Sequence, residues 1–162
     1  MPELRTERLR LLPLGTDHAA EYASFMPEQD ARRETAESEE HWTAHAFGPW
    51  AVLEDDRFVG FAEVHYAGEG IGGIEPHEVE VGWVIAEDRR GRGLATEAMR
   101  AAIDDAWTRA ATDHLVAYIR PWNTVSIHVA EKLGFRLRGP GRARSGDPAG
   151  VYVLDAPPRS GV

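Results

Sequence analysis

The chain has 162 residues, 43% hydrophobic and 28% charged, the composition of one globular domain, which excludes a disordered or low-complexity chain. A net charge of −9 argues against a nucleic-acid partner, whose phosphates need a dominant basic face, and the absence of cysteine excludes disulfides, thiolate metal sites and a cysteine nucleophile. No apolar run reaches the ~20 residues of a bilayer span, and Met1–Arg10, with three arginines and two glutamates, lacks the apolar core of a signal peptide. The expectation is a cytoplasmic protein with no membrane partner: one domain over residues 1–157 and a flexible tail, 158–162.

In chain order, Leu4–Leu12 reads as a strand broken by Pro13 and Gly15, with Thr16 placed to N-cap a short helix from Asp17 to Phe25. A second helix is expected over Ala36–Phe47. Trp50–Glu54 and Arg57–Tyr66 form a hairpin across Asp55-Asp56, and Gly68–Pro76 is a glycine-rich loop. A strand over His77–Ala86 runs into Arg90-Gly91-Arg92-Gly93. The alanine-rich Gly93–Thr108 is helical, with Ala95, Met99, Ala102 and Ala106 on one face. His114–Ile119 is a strand. Asn123–Leu133 is a helix with Asn123 as N-cap and Gly134 past its end. Phe135–Arg138 and Val151–Asp155 close the chain as a strand pair around a Gly-, Pro- and Arg-rich loop. This order describes an α/β (α+β) fold, a mixed and mostly antiparallel sheet of about seven strands with helices on both faces.

The chemistry-bearing segment is Glu80-Val-Gly-Trp-Val-Ile-Ala-Glu-Asp-Arg-Arg-Gly-Arg-Gly-Leu-Ala95. A strand ends, the chain turns on two glycines, and a long helix starts at once. Such a turn aims free backbone N–H groups at one spot, backed by roughly +0.5 of a charge from the helix dipole. Arg90 and Arg92 add positive charge, so the turn suits a pyrophosphate; an ordinary strand–helix turn with exposed arginines is the plain alternative. Acidic residues bunch as Glu28, Asp30, Glu34, Glu37, Glu39 and Glu40, and again as Glu75, Glu78, Glu80, Glu87 and Asp88. They serve solubility, or form an acidic rim that draws in a cationic amine.

Arg90-Gly91-Arg92-Gly93-Leu94-Ala95 resembles the Arg/Gln-x-x-Gly-x-Gly/Ala acetyl-CoA motif of the GNAT superfamily of N-acetyltransferases. Thr6-Glu-Arg-Leu-Arg-Leu-Leu-Pro-Leu14 resembles the opening strand of the branch that acetylates ribosomal-protein N-termini and small amines. Asn123-Thr-Val-Ser126 followed by Glu131-Lys-Leu-Gly-Phe135 resembles its later signature. The resemblance implies a GNAT-like fold and transfer of acetyl from acetyl-CoA to a primary amine, on a small molecule or a protein N-terminus, by direct attack. It implies that backbone amides of Arg90, Gly91, Arg92, Gly93, Leu94 and Ala95 hold the CoA pyrophosphate. Backbone groups near Val84 and Ile85 would bond the pantetheine arm like an added strand, and Asn123 would touch the pantetheine or the acetyl end. No metal is implied, and a homodimer is compatible with the pattern.

Glu80 matches a glutamate of that branch and has a chemical task. A lysine-like amine near pH 7 must give up a proton at a cost of about 3.4 units, ~4.6 kcal/mol, and an α-amino group about 1 unit. A carboxylate can receive that proton directly or through water. Strand alternation puts Glu78, Glu80 and Gly82 on one face, so either carboxylate could line a cleft, and a structural hydrogen bond is the other reading of Glu80. Many relatives carry a tyrosine that protonates the departing thiolate; Ala130 stands at that position here, leaving Ser126 as a substitute acid. Gly68-Glu-Gly-Ile-Gly-Gly73 fits a dinucleotide pattern but leads through Pro76 into a strand and not a helix, so that reading fails. His41 and His45 have zinc-compatible spacing and no evident third ligand. Two rival readings stay open: a GNAT-like module that binds acyl-CoA or a small amine without turnover, and a different nucleotide-phosphate enzyme using the same turn.

Overall fold

The computed structural model describes residues 1–158; the tail expected over 158–162 lies, from residue 159 on, outside the described residues. The elements are β1 (Leu4–Arg5), β2 (Arg10–Pro13), a 3-10 turn (Thr16–His18), α1 (Ala19–Tyr22), α2 (Glu28–His45), β3 (Trp50–Glu54), β4 (Arg57–Tyr66) and β5 (Val79–Ile85). A second 3-10 turn (Glu87–Arg89), α3 (Leu94–Arg109), β6 (His114–Ile119), α4 (Thr124–Leu133), β7 (Arg136–Arg142) and β8 (Pro148–Asp155) follow. One eight-stranded sheet runs β1-β2-β3-β4-β5-β6-β8-β7. Every neighbouring pair is antiparallel except β5 and β6, which are parallel.

Three differences from the sequence expectation have identifiable physical causes. The single strand over Leu4–Leu12 is a small hairpin, Leu4 opposite Leu11, which adds the eighth strand. Its turn is fixed from outside: Glu97 in the first turn of α3 accepts from the Thr6 hydroxyl at 2.5 Å, the Arg8 amide at 2.9 Å and Arg8 Nε at 2.8 Å. Second, α2 begins at Glu28, eight residues before the expected start, because Glu28–Arg32 and Asp30–Arg33 pairs one turn apart support a segment with little apolar periodicity. Third, the loop between the closing strands is mostly strand. Gly139 to Arg142 pair with β8, and Gly72 exchanges two backbone hydrogen bonds with Arg142, at 2.8 and 3.0 Å, which docks the Gly68–Pro76 loop on β7. Thr16 also differs: its hydroxyl donates to Glu39 at 2.9 Å and caps nothing.

The expected hairpin between β3 and β4 turns on Asp55 and Asp56, both with positive φ (49° and 60°), the signature of a tight two-residue connection. The main core packs Leu11, Trp50, Val52, Val64, Val79 and Val81 against Leu94, Ala98, Met99, Ala102 and Ala106 of α3. On the other side Leu14, Tyr22, Ala31, Ala51 and Phe61 form a second cluster under α1 and the start of α2. These two layers leave the sheet's central seam for function. β5 and β6 share only the pair Glu80–Val116, after which they diverge.

Candidate active site

Three cavities lie about that seam and the start of α3. The first lies at the start of α3 and is lined by Arg89, Arg90, Gly91, Gly93, Leu94 and Ala95 on one side and by Thr124, Val125, His128 and Lys132 of α4 on the other, with a volume of about 440 Å³. The second, about 200 Å³, occupies the divergence of β5 and β6 between Val81, Gly82, Trp83, Tyr118, Asn123 and Ser126. The third, about 540 Å³, opens toward α2. Glu63, Glu80 and Tyr118 line both the second and the third, so these two meet.

The turn into α3 is built by backbone conformation. Gly91 and Gly93 take φ of 78° and 77°, a region where side chains are strained, and Gly93 is the N-cap of α3. The amides of the first helical turn have no partner within the helix, and their residues, Leu94 to Thr96, line the first cavity. The two arginines expected to add charge divide. Arg90 lines the cavity and its Nε donates to the Ile85 carbonyl at 3.1 Å. Arg92 turns away and pairs with both oxygens of Glu54 at 2.9 Å, beside Arg89 at 2.7 Å. Glu54 is buried at the end of β3, and Arg92 chiefly holds its carboxyl below the ordinary range. Arg92 therefore anchors the turn to the sheet and leaves the ligand to the backbone amides.

On β5, alternation decides which backbone groups face the open edge. The Ala86 amide donates to Val59 at 2.8 Å, and the Val84 carbonyl lies so close to Gly60 that a Cβ there would collide with it. Val84 thus turns toward β4, while Val81, Trp83 and Ile85 face the side where β6 has diverged. Across the seam, Asn123 Oδ1 accepts from the Ser126 amide at 3.2 Å, an N-cap bond worth about 1 kcal/mol to α4. Ser126 is half-buried one turn into α4 and lines the second cavity with Asn123. Ala130 is 0% exposed and sits in the main core, so a tyrosine ring there would have to displace packed side chains.

Glu80 is 4% exposed, and its Oε2 has no hydrogen-bond partner. His65, directly opposite on β4, donates Nδ1–H to the Tyr66 carbonyl at 2.8 Å and brings Nε2 to 3.8 Å from Glu80 Oε2. Burial pushes the Glu80 carboxyl up to about 7, helped by the negative charge of Glu63. Glu63 pairs across the strands with Gly82 and lies over it; a Cβ on Gly82 would fall 2.7 Å from its Oε2. Tyr118 completes the junction, its phenol kept protonated by burial and then by Glu80 and Glu63. Glu78 is not in this group: it precedes β5 and is held by Arg138 and His114 on the far side of the strand start.

Glu63, His65, Tyr118 and Arg144 escaped the sequence reading. The alternation Phe61-Ala-Glu63-Val-His65 in β4 carried the signal for the first two, since the hairpin with β5 sets them beside Glu80. His41 does not join His45 in a metal site. Its Nδ1 donates to the Phe47 carbonyl at 2.8 Å and its Nε2 accepts from the Tyr66 amide at 3.1 Å, which uses both ring nitrogens. No group of histidine and carboxylate side chains among the described residues could hold a metal ion.

A family model described as Acetyltransferase (GNAT) domain matches residues 8–136. The Bacillus subtilis (strain 168) protein YkkB is 37% identical over 81 residues, 45% of this chain and 47% of its own, so the chain spans about half the length of the curated relatives it matches. An acetyltransferase from Agrobacterium tumefaciens str. C58 superposes with a TM-score of 0.80 at 26% identity, covering 96% of this chain and 95% of that one. Mycobacterium smegmatis RimJ, solved in complex with CoA-disulfide, has a TM-score of 0.71 at 21% identity and covers 94% and 85%; it shares the fold. With a matched segment that runs from β2 into β7, and with the glycine turn and the divergent central strands inside it, the chain belongs to the GNAT acetyltransferase family.

Proposed function

We propose that the protein transfers an acetyl group from acetyl-CoA to a primary amine, in the cytoplasm, by direct attack of the amine on the thioester. The observation that carries this reading is the buried Glu80 carboxylate, its Oε2 unpartnered, at the meeting of two cavities on the open edge of β5, the strand that leads into the glycine turn. The residues suit acetyl-CoA as substrate. The Arg90 amide is taken by the Glu87 carbonyl, so the amides from Gly91 to Ala95 face the pyrophosphate, the open edge of β5 at Trp83 and Ile85 receives the pantetheine, and Asn123 closes the far wall. The amine arrives from the third cavity.

In the transfer, the amine nitrogen bonds to the acetyl carbon, the carbon–sulfur bond breaks, and the amine proton passes to Glu80, directly or through water. A carboxyl near 7 is matched to that task at neutral pH, being ionised in enough molecules to accept and basic enough to drive the transfer. His65 can carry the proton onward. The departing thiolate takes a proton from water, Ser126 or Tyr118.

The test is release of free thiol from acetyl-CoA against a panel of polyamines, aminoglycosides, amino acids and N-terminal peptides. Thiol release with at least one amine, abolished together with CoA binding by Gly91→Val/Gly93→Val, is expected. CoA binding without turnover on any amine would favour the binding-only module; no calorimetric signal at millimolar CoA would overturn the cofactor assignment itself.

A further inference from the structure

The third cavity is uneven in charge. Its ionisable walls hold Glu34, Glu37, Glu63 and Glu80 against Arg33 and Arg144, with His41 and His65 tied to backbone carbonyls. The guanidiniums have partners of their own. Arg144 donates to the carbonyls of Ala67 and Glu69, and Arg33, more than half exposed, bonds Asp30 at 2.9 Å and stands 3.9 and 3.8 Å from Glu34 and Glu37. The carboxylates are poorly satisfied. Glu63 makes no hydrogen bond or ion pair among the described residues, Glu34 accepts only from the Tyr22 hydroxyl at 3.0 Å, and Glu80 Oε2 is buried with no partner. A buried carboxylate oxygen without a donor, aimed into a cavity, marks the place of a ligand's donor.

We propose that the acceptor is a linear diamine carrying two positive charges, its reacting amine between Glu63 and Glu80 and its second ammonium against Glu34 and Glu37, one turn apart on α2. This rests on the acyl-transfer reading above and deepens it. The remaining walls suit a methylene chain: Leu14, Pro49 and Ala67 are apolar. A cavity of about 540 Å³ admits a short flexible molecule and is small for a folded chain end with its neighbours. The second charge does not need to be lost in the reaction, so the rim carboxylates add binding without raising the barrier to deprotonation at the reacting end.

The experiment compares α,ω-diamines with monoamines of the same carbon number, in the wild type and in Glu34→Gln/Glu37→Gln. Diamines are expected to show kcat/KM at least about tenfold higher than matched monoamines, and the double variant should cut that ratio about tenfold, with CoA binding by calorimetry as the check on folding. Equal rates for the two amine classes, a variant that lowers both alike, or an uncharged N-terminal peptide outrunning every diamine would overturn the inference. If no amine is acetylated, the transfer reading fails by itself, and calorimetry of diamine and monoamine on the CoA-loaded protein decides the charge inference. Binding about tenfold tighter for the diamine supports it, and equal binding overturns it.

Discussion

Glu78 and Glu80 stand two residues apart at the entrance of β5, 7% and 4% exposed, and titrate in opposite directions. Glu78 receives four donors: Arg138 at 2.6 and 2.9 Å, His114 Nε2 at 2.8 Å and the Glu75 amide at 2.8 Å. Arg138 foremost draws its carboxyl down to about 2. Glu80 receives none at Oε2, and burial lifts its carboxyl to about 7. Similar exposure, opposite chemistry: burial without a donor raises one carboxyl, and four donors outweigh the burial of the other. Glu78 ties the starts of β5 and β6 to β7 and has no proton to exchange at neutral pH, whereas Glu80 exchanges one there.

The largest expected effect breaks the Glu80 side. Glu80→Gln should lower turnover by roughly 10²–10⁴ with CoA affinity intact, and the rise in rate through pH 7 should vanish with it. Stopped-flow thiol release and calorimetry check the two halves, and near-wild-type turnover with an unchanged pH profile would remove Glu80 from the chemistry. Next, Arg138→Met attacks Glu78 by withdrawing two of its four donors. It should destabilise the protein by about 3 kcal/mol at pH 7 in urea titrations, because a buried carboxylate loses its main counter-charge. A change below about 1 kcal/mol would show that His114 and the Glu75 amide suffice.

The comparison sharpens when stability is followed against pH. Glu80 is raised from its ordinary 4.5, so the folded state holds more protons than the unfolded between 4.5 and about 7, and its contribution to stability falls across that window. Glu80→Gln should therefore gain on the wild type from pH 4.5 to about 7, by on the order of 3 kcal/mol, and hold that gain above. Glu78 is lowered, so its stabilisation is present above 4.5 and disappears as pH falls toward 2. Glu78→Gln should lag the wild type at neutral pH and converge with it in acid. Melting curves of both variants from pH 3 to 8 that run parallel to the wild type would contradict both assignments.

The smallest effect concerns the leaving group. Ser126→Ala is expected to cost less than about tenfold in turnover, under ~1.4 kcal/mol of barrier, because a thiol with a reference pKa near 8.5 leaves tolerably unaided. Tyr118→Phe is the companion, since its phenol also reaches the junction. A loss above a hundredfold in either, with CoA binding intact, would identify that residue as the acid.

Much of the fold was legible in the sequence because it rests on local signals. The Asp55-Asp56 hairpin, the alanine-rich α3, the Asn123 cap and the parallel step from β5 to β6 all announce themselves within a few residues. The start of α2 was not legible, since its support is i,i+3 and i,i+4 charge pairing on a segment that buries little. The closing hairpin was hidden by Gly139, Pro140 and Gly141, which read as loop until β8 pairs with them and Gly72 with Arg142. For the site, Glu80 and the glycine turn could be named from one stretch of chain. The separate fates of Glu78 and Glu80 and the capture of Arg92 by Glu54 depend on which distant side chains arrive, and no local pattern encodes that.

The divergence of β5 and β6 places an exposed strand edge at the centre of an eight-stranded sheet. Edges elsewhere invite pairing with a foreign strand, but this one lies at the bottom of a narrowing seam where only something as thin as a single extended chain can reach it. In deuterated solvent the amides of Trp83 and Ile85 should behave as an island of rapid exchange flanked by slowly exchanging neighbours on β4 and β5. Saturating CoA should silence that island while leaving the rest of the sheet unchanged, so the missing rung of the ladder reports directly on whether the seam is filled.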